Sequence, residues 1–406
     1  MPDHTAINLL DQRPGLNAGD ALRPIPSPGP AASSLYIHVP FCFHKCHYCD
    51  FYSLVDKQDR QGPFLDRLAA ELAALAPWAG PLETIFVGGG TPTLLRPDLW
   101  RRLLSVLQDH FDVAAGLEFT VECNPETATP ELMGILREGG VNRISMGAQS
   151  FNPAHLKTLE RWHDPQNVLR ALAMAREAGI ARQSLDLIYA IPGQSLREWE
   201  QDLDTALATG ITHLSCYALT YEPNTAMTAR LNRGDFARAD EDLEADMFCL
   251  TLEKIRAAGL ERYEVSNFAR PGQECRHNLA YWRQRNWLAA GPSASAHMNG
   301  GRWKNSPRLD DYLRGGKSGF SPITDYEPAD AKRNLAERIM TGLRIAEGLD
   351  SETLLRDAGS SAPRLCASAR KYESQGLLTT GARWQLTDAG FLVADTIAAE
   401  LMAALD

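Results

Sequence analysis

The stretch Leu35-Tyr36-Ile37-His38-Val39-Pro40-Phe41-Cys42-Phe43-His44-Lys45-Cys46-His47-Tyr48-Cys49 joins a short apolar run to three closely spaced cysteines. The chain holds eight cysteines, at 42, 46, 49, 123, 216, 249, 275 and 366; three fall within eight residues and five are scattered. The first twenty residues have no basic segment followed by an apolar one, so a secretory leader is not expected, and cysteines kept reduced form no disulfide framework. Thiolates crowded at C-x3-C-x2-C spacing bind metal. Zinc in a closed site wants a fourth ligand, for which His38, His44 and His47 stand near. An iron–sulfur cube held by three thiolates instead leaves one iron open to a substrate or cofactor. No second cysteine pair follows, and the cluster is the better fit.

Outward from this loop the chain alternates apolar runs with helical patterns. Strands are predicted at 35–39, 83–87, 117–122, 142–146, 184–188 and 213–217. Leu65, Leu68, Leu72 and Leu75 make one apolar stripe at helical spacing, and Val168, Leu169, Leu172 and Ala175 another. Ser195 with Glu198 is a capping box. Strands alternating with helices imply a parallel sheet, and six such units suggest a barrel or partial barrel. Residues 1–33, with Arg23-Pro24-Ile25-Pro26, read as a mobile tail, 34–270 as the barrel, 271–327 as an irregular aromatic connection and 328–406 as a winged-helix-like α+β unit. In that last unit the segment from 331 has nine Lys/Arg against ten Asp/Glu. A DNA reader would carry a basic excess, so a docking module is expected. The whole chain, 406 residues with 41 Lys+Arg and 51 Asp+Glu, carries −10, which disfavours nucleic acid as the main partner. No run reaches the roughly 20 apolar residues that span a bilayer.

The second predicted strand runs into Gly88-Gly89-Gly90-Thr91-Pro92-Thr93, neither a Walker A loop nor G-x-G-x-x-G. Its glycines are expected to let the backbone approach a ligand and offer free N–H and C=O groups. Glu122 closes the third strand, Gln149 follows the fourth and Asp186 lies on the fifth. In barrels, active sites gather at the carboxyl ends of strands, where all these groups and the cysteines fall.

Over residues 34–320 the chain resembles the radical S-adenosylmethionine (SAM) superfamily, in its coproporphyrinogen III oxidase-like branch. The cysteine spacing, Tyr36 to Cys42, Gly88 to Thr93, Ser145-Met146-Gly147-Ala148-Gln149-Ser150-Phe151 and Asp186 to Gly193 carry the likeness. The resemblance implies a partial (βα)6 barrel and a [4Fe–4S] cluster on Cys42, Cys46 and Cys49 whose open iron chelates SAM. It further implies SAM contacts from Tyr36, Gly89, Gly90, Thr91, Glu122, Gln149, Arg161 and Asp186, with Tyr48 packed on the cofactor. Around Arg161 the sequence Leu159-Glu160-Arg161 departs from the branch's Leu-Gly-Arg.

Two activities share this scaffold. The oxidase line decarboxylates porphyrinogen propionates by radical chemistry. The heme-chaperone line binds heme and passes it to haem proteins of the respiratory chain. The oxidase motif continues with a fourth cysteine where this chain has Phe51, and His277-Asn278-Leu279-Ala280-Tyr281-Trp282 matches the chaperone's H-N-x-x-Y-W signature. The heme-chaperone reading follows, with no coproporphyrinogen oxidase activity expected, a cytoplasmic or peripheral inner-membrane location and a monomer or homodimer. His277 is a candidate heme ligand, or else a buried histidine held by Asn278 beneath Tyr281 and Trp282. Cys275 and His297 are weaker candidates, and Trp282, Trp287 and Trp303 offer an apolar face to a porphyrin or simply fill the core.

Overall fold

The computed structural model describes residues 16–23, 31–315 and 318–405. A five-residue helix, α1 (Ala18–Leu22), is capped by Asn17 through a reciprocal capping box with Asp20. Its residues do not form part of a mobile tail: the Ala18 N–H donates to Ser321 O, the Ile323 N–H to Leu16 O, and Leu22 is fully buried. The rest of the expected tail, 1–15 and 24–30, lies outside the described residues.

All six predicted strands form, as β1 (Ala32–Val39), β2 (Ala79–Gly89), β3 (Val113–Cys123), β4 (Arg143–Gln149), β5 (Arg182–Tyr189) and β6 (His213–Ala218), paired in parallel in sequence order. Helices α2 (Gln61–Leu75), α3 (Pro97–His110), α4 (Pro130–Glu138), α5 (Pro153–Thr158), α6 (Pro165–Glu177) and α7 (Leu196–Ala208) fill the crossovers. Several open with proline in the first turn, where its missing N–H costs nothing, and Thr129, Asp164 and Ser195 cap α4, α6 and α7. The α2 leucines are fully buried. Of the second stripe, Leu169 is 46% exposed, because one residue past Val168 a helix has turned by about 100°.

Register places the chemistry at one level of the sheet. Gly89 sits beside Val39, Glu122 beside Ser145, Gly147 beside Asp186, and Asp186 beside Ser215. Beyond β6, α8 (Ala226–Asn232) and α9 (Glu241–Ala257) lead to the hairpin β7 (Glu261–Glu264) and β8 (Asn267–Ala269), with β8 antiparallel to β6.

The segment read as an irregular connection is ordered. Helix α10 (Arg276–Trp282) precedes β9 (Trp287–Ala290), which adds in parallel to the free side of β1. Strands β10 (Ser295–Met298), β11 (Gly301–Asn305) and, after α11 (Leu309–Leu313), β12 (Ile323–Glu327) extend it antiparallel to a twelve-stranded sheet. These strands are only four or five residues long and interrupted by Gly291-Pro292 and Gly300-Gly301, which hid them. Buried Glu71 of α2 fastens this half: its carboxylate accepts from Gly291 N–H (2.9 Å), Asn305 Nδ2 (2.8 Å) and Tyr312 O–H (2.7 Å).

The C-terminal unit has helices α12 (Ala331–Gly342), α13 (Ser351–Ala358) and α14 (Ala362–Ser374), then α15 (Asp388–Leu392) and α16 (Ala394–Ala403). With them goes a small antiparallel sheet of β13 (Leu349–Asp350), β14 (Leu378–Thr379) and β15 (Arg383–Leu386). It docks on β7, where the Arg262 guanidinium lies 3.6 Å over the Phe391 ring and donates to Asp388 (2.8 Å). Among the described residues no helix is long and apolar enough to cross a membrane.

Candidate functional site

Two adjoining cavities open between the strands. The smaller, about 450 Å³, is lined by Cys42, Cys46, Cys49 and Tyr48 together with Gly89, Gly90, Thr91, Glu122, Gln149, Arg161 and Asp186. Of the expected SAM contacts only Tyr36 falls elsewhere, on the larger cavity of about 840 Å³, where its hydroxyl pairs with His38 Nδ1 at 3.1 Å. Asp50, Phe51, Glu122, Ser145, Asp186 and Tyr217 border both cavities.

The cysteine loop is pinned at several points. Cys42 N–H donates to Leu54 O, Leu54 N–H to Pro40 O, and His47 N–H to Leu159 O. His44 stacks face to face on Trp162, ring centroids 4.1 Å apart. Arg161 donates from Nη1 to Cys46 Sγ (3.8 Å) and from Nη2 to Gly147 O (2.9 Å), so one guanidinium ties the loop to the end of β4. Cys42 Sγ lies 3.6 Å from Thr91 Oγ1. Burial pushes the Cys49 thiol up to about 11.

The glycine run does other work than expected. Its N–H groups are taken: Gly89 donates to Glu122 Oε2 (3.0 Å), Gly90 to Val39 O and Thr91 to Phe41 O. Glycine is required by close approach. A Cβ on Gly89, whose φ is +110°, would stand 2.6 Å from the His38 ring, and one on Gly90 would stand 2.7 Å from Phe41 O. The run holds the cysteine loop against β2.

Burial and the neighbouring Asp186 carboxylate push Glu122 up to about 7, opposed by the Gly89 N–H. Burial also raises Asp186, against hydrogen bonds from Ser215 and Ser145 and the charge of Arg143. His38 is held down at about 4 by burial; its Nε2 meets Tyr52 O at 2.8 Å, so Nε2 carries the proton and Nδ1 accepts from Tyr36.

His277 is 1% exposed, and both its ring nitrogens are occupied, Nδ1 by Thr84 Oγ1 (2.7 Å) and Nε2 by Tyr281 O–H (2.8 Å). Burial lowers it to about 3. Its partners are Thr84 and Tyr281, not Asn278. Its N–H donates to buried Glu118, which also receives Arg182 (2.9 Å), so α10 is keyed into the lower ends of β2 and β3 and floors the larger cavity. Of the other candidates, Cys275 and Trp287 line that cavity; His297 stacks on Trp287 (4.8 Å) and meets Arg285 O (3.0 Å). Trp303 is buried in the core.

Arg143, His213, Ser215 and Tyr217, together with Lys45 and Lys304, were not anticipated as lining residues. The signal was present as a period of two: Arg143 and Ser145 on β4, and His213, Ser215 and Tyr217 on β6, put polar groups on one face.

Residues 36–206 match the Radical SAM superfamily, and residues 329–393 the HemN C-terminal domain. The heme chaperone HemW of Mycobacterium tuberculosis is 37% identical over 93% of this chain and 96% of its own. That of Escherichia coli is 34% identical over 90% and 96%, and that of Bacillus subtilis 34% over 83% and 90%. This chain belongs to the HemW family. Among solved structures, the Escherichia coli coproporphyrinogen III oxidase HemN, a radical SAM enzyme, superposes with a TM-score of 0.79 over 92% of this chain and 90% of that one, at 22% identity. That likeness speaks for the shared HemN-like radical SAM fold alone.

Proposed function

We propose that this chain is a heme carrier. It holds a [4Fe–4S] cluster on Cys42, Cys46 and Cys49, binds SAM in the smaller cavity and heme in the larger, and delivers heme to a respiratory-chain haem protein. The supporting observation is the adjacency of the two cavities, the smaller carrying the three thiols and the larger floored by the H-N-x-x-Y-W helix. The donor set fits the cluster. Cys42, Cys46 and Cys49 line one cavity wall, and three thiolates suit an iron–sulfur cube with one iron left open.

When bound, the cluster and SAM together supply one-electron chemistry. The chain's own residues do the positioning. Gln149, held at φ +64° beyond β4, and Arg161 close one side of the smaller cavity. The carboxylates of Glu122 and Asp186 suit ribose hydroxyls or an ammonium, and the Tyr48 ring suits a sulfonium or adenine. Phe51, 64% exposed, stands where a fourth cysteine would mark the oxidase.

The test uses anaerobically purified, cluster-reconstituted full-length protein offered heme and coproporphyrinogen III. Soret absorbance with no decarboxylated porphyrin is the expected result. Decarboxylation coupled to SAM consumption would make the protein an oxidase and overturn the proposal.

A further inference from the structure

We propose that the larger cavity selects its ligand by two carboxylates, with Lys304 of β11 and Lys45 of the cysteine loop as their partners. This rests on the heme-carrier reading and specifies how the planar dicarboxylic ligand is held. Lys304 is half-buried on the cavity wall, opposite Ser295 and Asp325 in backbone register, and no carboxylate among the described residues forms an ion pair with its ammonium. Its three N–H donors are therefore open to an anion supplied from outside the chain. Lys45, exposed on the loop, spends one N–H on Phe51 O (2.8 Å) and keeps two donors for a ligand.

The cavity is polarised across its width. The two lysines approach from the β11 and loop side, while the half-buried acids Glu122 and Asp186 belong to β3 and β5 across the sheet. Asp50, the third carboxylate on the cavity wall, is exposed on the loop, where water screens its charge. A dicarboxylic ligand is therefore oriented with its acid edge toward the lysines and its apolar plane toward the rings of Phe86, Tyr281 and Trp287. Tyr281 and Trp287 have centroids 4.6 Å apart, which makes a continuous aromatic wall. At about 840 Å³ the volume lies within the ~300–1,000 Å³ typical of sites that enclose a drug-sized molecule.

The experiment titrates heme and heme dimethyl ester, which lacks both charges, into full-length wild-type protein and the K304Q, K45Q and K45Q/K304Q variants, reading the Soret band. Wild type is expected to hold heme about tenfold more tightly than the ester, as befits a charge-assisted hydrogen bond. K304Q should lose about that factor for heme and leave the ester unchanged, K45Q should lose less, and K304R should restore most of it. Equal wild-type affinity for heme and ester overturns this inference alone, as do variants that lose both ligands alike. Wild type that takes up neither overturns the heme-carrier reading and this inference with it.

Discussion

Glu122 accepts the N–H of Gly89 at 3.0 Å, and the same carboxyl, which ties β3 to the glycine run, is raised to about 7 by burial and by the charge of Asp186. An unfolded glutamate titrates near 4.3. The folded chain therefore binds the extra proton between those two values, and by linkage its stability falls as pH rises through that window and stays lower above it. Glu122→Gln keeps the acceptor for Gly89 and removes the repulsion from Asp186. In ligand-free protein it is expected to melt a few degrees above wild type at pH 8 and level with it at pH 4. A variant equally displaced at both pH values would show that packing, not ionisation, sets the difference.

Gly90 makes a purely steric prediction. A methyl group there meets the Phe41 backbone, which cannot swing aside as a side chain can. Gly90→Ala should push the cysteine loop off β2, cost about 1–3 kcal/mol in a chemical denaturation curve, and lower iron content after reconstitution. Normal iron content with normal stability would mean that the loop has slack that the geometry does not suggest.

How legible was all this in the sequence? The six parallel strands were, because each is an apolar run next to an amphipathic helix, and burial on both faces writes itself into composition. So was the cysteine loop, since three thiols in eight residues need no tertiary context. Strands β9 to β11 were not, being four or five residues long and broken by glycines, too short to show an alternation. Arg143, His213 and Ser215 were passed over for a different reason: each looks like an ordinary strand residue until the alternation is compared across neighbouring strands. The partners of His277 were illegible, since Thr84 lies 193 positions away and only register brings it near. Leu16 to Leu22 were hidden too, because a single capped turn takes its stability from the Ser321–Ile323 segment it packs on.

Arg161 joins Cys46 to Gly147, and the two contacts use different guanidinium nitrogens. Lysine carries the charge but only one donor centre. Arg161→Lys should keep iron content near wild type and weaken SAM binding about tenfold in equilibrium dialysis, which corresponds to losing one charge-assisted hydrogen bond. Loss of iron in step with SAM would assign the residue to holding the loop rather than the ligand.

His277 gives the sharpest contrast between ligand and structural element. Both ring nitrogens are spent, so an axial role would require breaking a buried hydrogen bond to Thr84 or Tyr281, and its low basicity reflects that burial. Removing the ring leaves the Tyr281 hydroxyl unpaired and Thr84 with Ser34 alone, and opens a gap against Phe86, whose ring lies 5.3 Å from that of His277. His277→Ala should therefore cost about 2–4 kcal/mol by denaturant titration. The heme still bound should keep its Soret maximum, because the iron's ligand is unchanged, although affinity falls as the floor of the cavity loosens. A shifted maximum with unaltered stability would reverse the assignment, making His277 the iron ligand and the hydrogen bonds of the ligand-free chain a resting state that heme displaces.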